Sequence, residues 1–295
     1  MKAALADLLG EDGPIITDGS MITALAARGL RPDAHPGLWN LTHPRQVSEI
    51  HRAFTAAGAH IILTNSARCS RIFLSLYDLD GQVTVINRAA ARLARQAADA
   101  APGPVLVAGA IGPAGEMLVP YGTLDYHKAR EAFEEQARCL AEGGVDLFWI
   151  DTMIDLKETQ AAIEGCRSAA PELPVVATLS FEYGGRTLMD YAPAEVMEAL
   201  WHYELTAVGA SCGNGIDEIL VVIKEMRTFD PLAILAARAD AGLCHICDGQ
   251  ARYNATPEEM AAYALAAHEL GAKLIGGCCG CTAEHIRAIA QALTH

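Results

Sequence analysis

The sequence lacks the marks of several common protein classes. No apolar run approaches the roughly 18 residues that a membrane-spanning helix needs. Basic residues are few, since 22 Lys and Arg stand against 36 Asp and Glu and give a net charge of −14. Such an acidic chain is poorly suited to nucleic acid or an anionic membrane surface, so we exclude both as partners. Because Asp7, Glu11 and Asp12 interrupt the N-terminal segment, we expect no secretory signal peptide.

Two glycine-rich phosphate-binding motifs, G-x-G-x-x-G and the P-loop, are also absent. Eight apolar strand-like segments alternate with helical ones, as in a parallel sheet covered by helices. Two folds have such a sheet, and the absence of the glycine motifs helps to choose between them. An open doubly wound sheet would carry such a glycine loop after an early strand. We therefore predict a single (β/α)8 TIM barrel, in the α/β class, over residues 1–295. The predicted strands cover residues 15–18, 59–65, 105–110, 145–151, 174–180, 205–212, 231–237 and 272–277.

Nine cysteines, an odd number in a chain with no expected signal peptide, indicate reduced thiols in the cytoplasm. Two of them, Cys278 and Cys279, are adjacent at the glycine-rich end of the last predicted strand. In a regular strand their side chains would point to opposite faces. We expect Gly276, Gly277 and Gly280 to bend the strand end and to direct both sulfurs to one site. Two thiolates directed in this way are most of a site for a soft metal.

Active sites of (β/α)8 barrels lie at the C-terminal ends of the strands. The polar and sulfur-bearing side chains of this chain fall there: Asp18, Asn65, Asp151, Cys212, Cys278 and Cys279. Because the sixth and eighth strands lie on the same side of a barrel, Cys212 can approach the cysteine pair. A single cysteine is usually a small buried hydrophobe. Three cysteines at strand ends instead predict a zinc site with an open fourth position, the form of a catalytic zinc.

The remaining cysteines are interpreted as ordinary thiols. Cys244 and Cys247 form a Cys-x-x-Cys pair that suits a second metal site or a redox pair, but no matching pair exists and we favour free loop thiols. Cys281 lies close enough to compete as a zinc ligand, although Thr282 is a predicted helix N-cap that would draw it away from the metal. Three others lie in a loop or on predicted helices: Cys69, Cys139 and Cys166.

Several side chains admit two interpretations. Asp18 and Asp151 suit helix caps or solvated strand ends, but their place on the metal's face of the barrel favours binding a ligand's ammonium group. Trp39, in a predicted loop over residues 31–44, is either a hydrophobic plug or an indole that holds a cationic ligand. Histidines on predicted helices, such as His51 and His268, are expected at the surface.

The chain is similar to the homocysteine S-methyltransferase family over nearly its whole length. The similarity rests on six segments, of which the last two are the most specific: residues 17–19, 63–65, 112–116, 149–153, 209–215 and 276–280. The resemblance implies a (β/α)8 barrel with a zinc ion bound by Cys212, Cys278 and Cys279.

The same resemblance implies a homocysteine site at Asp18, Gly19 and Asp151, with Asn65 as a further substrate-binding candidate. It also matches Trp39 to a tryptophan near the methyl-donor site of the betaine-dependent members.

Three single positions and one short segment depart from the family's usual pattern. Asp151 stands where Glu is usual, Ser211 where Asn is usual, and Ile216 where Pro is usual. A usual Pro-Asn-Ala-Gly segment is replaced by residues 239–242, Ala-Asp-Ala-Gly. Because the three cysteines are kept while these residues differ, the metal chemistry is expected to be retained, and a thiol other than homocysteine is an alternative acceptor.

We predict a zinc-dependent S-methyltransferase that moves a methyl group to the thiol of homocysteine and gives methionine. Its partners would be a small-molecule thiol and a methyl donor. Zinc would ionise the thiol, whose ordinary pKa is near 8.5. The thiolate takes a methyl group only from an onium compound, such as betaine or S-methylmethionine, or from methyl-cobalt. The chain lacks the Asp-x-His-x-x-Gly cobalamin motif, so a corrinoid donor would need a separate corrinoid protein.

Two other classes of protein are alternatives. The chain would be a partner subunit of a corrinoid methyl-transfer system, inactive on its own, if it only binds the thiol or the metal. A divalent-metal aldolase or lyase barrel is disfavoured, because it would use carboxylate and histidine ligands rather than three thiolates.

Overall fold

Eight parallel strands form a near-closed barrel, as the sequence predicts, in the computed structural model, which describes residues 5–182, 184–247 and 250–294. In the sheet β2 to β7 neighbour one another in chain order, β10 lies between β7 and β1, and β1 and β2 are the two ends. After β7 the chain forms a separate antiparallel hairpin, β8 and β9. The strands are β1 (Ile15–Ile16), β2 (Ile61–Leu63), β3 (Leu106–Ile111), β4 (Leu147–Met153), β5 (Val175–Leu179), β6 (Ala207–Ser211), β7 (Leu235–Ala239), β8 (His245–Cys247), β9 (Gln250–Arg252) and β10 (Ala272–Gly277).

Helices connect the strands and cover the outside of the barrel. None of those in the described part of the chain is both long and apolar enough to cross a bilayer. They are α1 (Leu5–Gly10), α2 (Met21–Ala26), α3 (Trp39–Thr42), α4 (Pro44–Ala56), α5 (Arg71–Ser75), α6 (Val83–Asp99), α7 (Tyr126–Glu142), α8 (Leu156–Ala169), α9 (Pro193–Leu200), α10 (Ile216–Phe229), α11 (Pro257–Glu269) and α12 (Ala283–Leu293).

The barrel closes between its first two strands. Thr17 and Ile61 form a parallel bridge, and the Asp18 N–H donates to the Ile61 carbonyl at 3.0 Å. The His60 N–H donates to the Ile16 carbonyl at 2.8 Å, and the Ile16 N–H donates to Nδ1 of His60 at 3.1 Å. Because these bonds join the two ends of the sheet, the C-terminal ends of all eight strands surround one mouth of the barrel.

Each barrel strand is buried on both faces, which explains the near-continuous apolar runs in the sequence. Phe148 and Ile150 pack outward against the helices, whereas Trp149 between them points into the barrel. Leu5 and Leu8 of α1 belong to the same interior cluster as Trp149. Apolar side chains therefore fill the N-terminal half of the barrel, and the polar groups are left at the C-terminal mouth.

Two segments differ from the predicted elements. The region over residues 31–44, predicted as a loop, contains a 3-10 turn (Pro36–Leu38) and then α3. The seventh strand is displaced towards the C-terminus, because Leu232 lies in a turn where its N–H donates to the Asp230 side chain and it is 90% exposed. This shift places Arg238 within β7, inside the barrel, rather than in a loop after it.

His51 on α4 is buried, so the prediction that it lies at the surface is wrong, whereas His268 on α11 is exposed as predicted. His51 shares its buried helix face with Val47, Ile50 and Phe54, at the spacing of an amphipathic helix. Neither ring nitrogen of His51 has a hydrogen-bond partner among the described residues. Burial lowers the pKa of His51 to about 4, because the uncharged ring is favoured away from water.

We expect His51→Leu to reduce the acid sensitivity of the fold. The unfolded chain takes up a proton at His51 near pH 6.5, whereas the folded chain takes it up only near pH 4. The contribution of the neutral ring is therefore complete above about pH 6.5 and is lost as pH falls towards 4, by up to about 3 kcal/mol. Urea unfolding at several pH values in this range measures the slope, with His268→Leu as the surface control. An unchanged slope in His51→Leu would assign the acid sensitivity to other groups.

Candidate active site

The C-terminal ends of the barrel strands surround a cavity of about 500 Å³. Trp39 is not among the residues that line it, since its indole packs in the hydrophobic core and stacks on His43 with ring centroids 4.2 Å apart. The structure therefore brings the predicted thiols and carboxylates together and leaves the indole outside. Seven of the eight residues proposed from the sequence line the cavity: Asp18, Gly19, Asn65, Asp151, Cys212, Cys278 and Cys279.

Three cysteine sulfurs converge at the cavity. Cys212 follows β6, and its Sγ lies 3.8 Å from Sγ of Cys279. Cys278 and Cys279 follow β10, and the Cys278 N–H donates to the Ala239 carbonyl at 2.7 Å, which ties their turn to β7. One ligand atom from each of Cys212, Cys278, Cys279 and Asp240 lies within 4.8 Å of the other three. A cluster of this size can hold one metal ion.

Asp240 belongs to this cluster, although the sequence identified it only as a departure from the family pattern. Its Oδ1 accepts a hydrogen bond from the Cys279 N–H at 2.9 Å, and its Oδ2 accepts one from the Cys212 thiol at 3.3 Å. Burial raises the pKa of Asp240 to about 8, and the neighbouring Cys278 adds to the rise. Asp240 directly follows β7, so a correct strand end would have placed it with the other candidate residues at the C-terminal ends of the strands. The predicted strand ended too early, at residue 237, and Asp240 was therefore not recognised.

The clustered thiols do not ionise independently. Hydrogen bonds from the Cys212 and Cys278 thiols lower the pKa of Cys279 well below its usual range, and the contacts with Cys278 and Cys279 raise the pKa of Cys212. A charge on one sulfur therefore opposes a charge on the others. A divalent cation relieves this repulsion, and three sulfurs with one carboxylate suit a soft metal rather than magnesium or calcium. The residues present therefore fit a bound metal ion.

The glycines around the cysteine pair have two different roles. Gly276 and Gly277 lie within β10 and do not bend it, so the expectation for these two is wrong. They are needed for space, because a Cβ at Gly276 would lie 2.1 Å from Oγ1 of Thr17 and a Cβ at Gly277 would lie 2.4 Å from Cβ of Cys281. Gly280 alone has the left-handed backbone expected of a turn, with φ of +81°.

Cys281 lies outside the four-residue cluster, in agreement with its predicted displacement. It is buried, and its thiol donates to the Ala239 carbonyl at 3.5 Å. Thr282 is the N-cap of α12 and accepts the Glu284 N–H through its hydroxyl, which directs the chain away from the cluster. Of the predicted Cys-x-x-Cys pair, Cys244 is exposed, and the side chain of residue 247 lies outside the described part of the structure.

The cavity contains an arginine that the sequence analysis missed. Nη2 of Arg238 lies 3.0 Å from Oδ1 of Asp18, and its Nη1 lies 3.3 Å from Oδ1 of Asp151. The Leu63 N–H donates to Oδ2 of Asp18 at 2.8 Å. Burial raises the pKa of Asp18 to about 7, against the opposing effect of Arg238. We call Asp18, Arg238 and Asp151 the floor triad, since the first two are almost fully buried beneath the cavity that all three line.

A chain of hydrogen bonds links the floor triad to the sulfur cluster, by which we mean the thiols of Cys212, Cys278 and Cys279. The Thr178 hydroxyl donates to Oδ1 of Asp151 at 3.2 Å and accepts from the Ser211 hydroxyl at 3.0 Å. The hydroxyls of Ser211 and Thr152 are 2.9 Å apart. Thr152 and Cys212 both have left-handed backbones, with φ of +58° and +63°. The residue after Asp151 is therefore tied to the residue before Cys212.

Other residues give the cavity its shape. The Asn65 side-chain amide donates to the Pro36 carbonyl at 2.9 Å and to Oδ1 of Asn40 at 3.0 Å, so this part of the wall is fixed. Elsewhere the guanidinium of Arg68 lies 5.6 Å from the centroid of the Phe73 ring. Both residues line the cavity, which therefore has a positive group and an aromatic ring in its wall as well as the acidic floor.

Comparison with known proteins identifies relatives of the whole barrel. A family model described as homocysteine S-methyltransferase matches residues 15–293. The chain is 30% identical over 295 residues to methionine synthase of Mycobacterium tuberculosis and 29% identical over 293 residues to that of Mycobacterium leprae. These matches cover 95% of this chain and 25% and 24% of the two relatives. The chain therefore spans about a quarter of the length of the curated relatives.

Solved structures share the same fold. The homocysteine methyltransferase MmuM from Escherichia coli, in its metallated form, superposes with a TM-score of 0.78 at 23% identity, over 97% of this chain and 99% of that one. The carboxyl transferase domain of Rhizobium etli pyruvate carboxylase is a more distant barrel, with a TM-score of 0.53 at 13% identity.

We expect one metal ion per chain, and we expect Cys278→Ser to abolish its retention. Loss of one sulfur from the cluster removes a strong ligand, whereas Cys281→Ala removes a thiol that lies outside the cluster and should keep the metal. Elemental analysis after dialysis against a weak chelator measures both variants beside the wild type. Stoichiometric metal in Cys278→Ser would show that the cluster is not the metal site.

Proposed function

Because the chain belongs to the homocysteine S-methyltransferase family, we propose that it transfers a methyl group from an activated donor to the thiol of homocysteine, giving methionine. The observation that carries this proposal is that the sulfur cluster and the floor triad line one cavity. The cluster suits a metal that binds the acceptor's sulfur, and a carboxylate suits the acceptor's ammonium group. An amino-acid thiol carries both groups a few bonds apart.

We infer that the metal is Zn²⁺, held by Cys212, Cys278 and Cys279. When bound, zinc would lower the pKa of the acceptor thiol and keep the sulfur nucleophilic at neutral pH. Asp240 would support zinc binding in two ways. Its carboxylate accepts the Cys279 N–H and so fixes the turn that carries two of the ligands, and it lies close enough to serve as a further oxygen ligand.

The other residues of the cavity bind and orient the reactants. Asp151 offers a carboxylate to the acceptor's ammonium group. Gly19 lines the same cavity, and its lack of a side chain lets the backbone pack against Cys281, since a Cβ there would lie 2.4 Å from the Cys281 carbonyl oxygen. In the transfer step the acceptor sulfur forms a bond to the methyl carbon while the bond from that carbon to the donor breaks. The electron pair of the broken bond leaves with the donor. Holding donor and acceptor in line supplies much of the rate.

The cavity wall favours a donor that carries an anionic group as well as an activated methyl group. Trp39, the residue matched to a donor-site tryptophan, packs outside the cavity. The wall instead presents the guanidinium of Arg68, which repels a purely cationic donor and attracts a carboxylate. Betaine and S-methylmethionine both carry a carboxylate as well as an onium centre, and they are the small donors that we propose.

A separate methyl-corrinoid protein is the second candidate donor, favoured by the surface around the barrel mouth. Large apolar side chains are exposed on the loops that follow β3, β5 and β7, at the end of the barrel where the cavity lies. Exposed apolar groups at the mouth of a site are typical of a surface that contacts another protein. They are Met117, Val119, Tyr121, Leu188, Leu243 and Ile246.

We expect the zinc-loaded chain to form methionine from homocysteine with betaine or S-methylmethionine. Mass spectrometry of the product with isotopically labelled donor methyl groups measures the transfer. Cys278→Ser should lower kcat/KM by about three orders of magnitude, because the nucleophile is no longer held and ionised. Cys281→Ala is the matched control and should retain activity.

Two further outcomes distinguish the candidates. Methionine formed only from methylcob(III)alamin or a methylated corrinoid protein would select the second donor. No methionine with any of these donors, from protein that retains stoichiometric zinc, would refute the proposed methyl transfer.

A further inference from the structure

The two carboxylates of the floor triad, those of Asp18 and Asp151, were both predicted at strand ends of the barrel. In the structure they differ in burial and in their hydrogen bonds. Asp18 has a side chain that is only 1% exposed, and both of its oxygens are engaged. Oδ1 is paired with Arg238, and Oδ2 accepts the backbone N–H of Leu63. Each oxygen of Asp18 thus already accepts one hydrogen bond, and the side chain is almost fully buried, so a ligand in the cavity reaches Asp151 more readily than Asp18.

Asp151 presents the opposite arrangement. Its side chain is 15% exposed, and it lines the cavity. Arg238 and Thr178 both contact Oδ1, while Oδ2 has no hydrogen-bond partner among the described residues. A ligand in the cavity therefore meets one carboxylate oxygen whose acceptor capacity is unused.

Arg238 creates this difference. Its guanidinium is 3% exposed, bridges the two carboxylates, and lies 5.5 Å from the centroid of the Trp149 ring. Two carboxylates this close, without a cation, would not both remain ionised in a buried site. The one positive charge of Arg238 offsets one of the two negative charges and leaves the other for a ligand.

We propose that Arg238 is a specificity-determining residue that neutralises Asp18 and leaves Asp151 alone to bind a single ammonium group of the acceptor. This inference rests on the proposed function, because it names the acceptor class of the same site: a thiol with one ammonium group. Asp18 is then a positioning residue, which acts through Arg238 and does not contact the acceptor. If both carboxylates instead held the ammonium group, removing the charge of either would weaken binding equally.

A charge-neutral double variant separates these two arrangements. In Asp18→Asn/Arg238→Gln, two amides can still hydrogen-bond to each other and to Asp151, while the net charge of the triad stays the same. Asp151→Asn is the matched single change, since it keeps the shape and removes the charge that faces the cavity. Calorimetry with the zinc-loaded proteins gives the affinities for homocysteine and for 4-mercaptobutyrate, the same thiol acid without the ammonium group. This measurement needs no methyl donor.

We expect the wild type to bind homocysteine on the order of 30-fold more tightly than 4-mercaptobutyrate, as a charge-assisted hydrogen bond predicts. The double variant should keep this preference within about threefold, and Asp151→Asn should abolish it. Arg238→Gln alone should lower the Tm, because it leaves two carboxylates without their cation; if this variant does not fold, the double variant still decides the question.

Three results would overturn the inference. They are loss of the preference in the double variant to the same extent as in Asp151→Asn, an unchanged preference in Asp151→Asn, and no preference for homocysteine in the wild type. The proposed function fails separately: a wild type with the expected preference but no methyl transfer from any donor would remove the reaction and leave the acceptor site as inferred.

Discussion

Negative charge concentrated at the mouth of the barrel is the constraint on which the site depends. Three thiols and the carboxylates of Asp18 and Asp151 line one cavity, and the carboxylate of Asp240 lies against the thiols, in a chain whose net charge is already −14. Groups of one sign at this distance cannot all ionise unless a cation lies among them. A metal would provide that cation at the sulfur cluster, and Arg238 provides it at the floor triad. The proposed acceptor would supply the remaining cation through its ammonium group.

The positions of the chemical groups could be predicted from the sequence, but their pairing could not. The strand ends of a barrel meet at one face, so Asp18, Asp151 and the three cysteines could be grouped from topology alone. Arg238 pairs with Asp18 across 220 positions of the chain and with Asp151 across 87, and no local pattern reports such contacts. The predicted seventh strand also ended before Arg238, because an apolar turn after Pro231 resembled the start of a strand.

Burial of individual side chains was predicted less well than the elements that carry them. His51 was assigned to the surface from its chemical character, although Val47, Ile50 and Phe54 mark its helix face as the buried one. Trp39 shows the converse, because an aromatic residue in an irregular segment suggested a ligand contact, while the structure uses the indole to fill the core. In both cases packing, rather than residue type, decides the position of the side chain.

The left-handed backbones of Thr152 and Cys212 have a consequence for how this barrel would respond to selection for heat resistance. A residue other than glycine in this conformation costs about 1–3 kcal/mol, so these two residues place part of the backbone strain of the fold directly at the cavity. Glycine at position 152 would relieve the strain and also remove the hydroxyl that joins Ser211. A descendant that gained heat resistance by relieving this strain would therefore loosen its own site, so at these two positions stability and the geometry of the cavity are opposed.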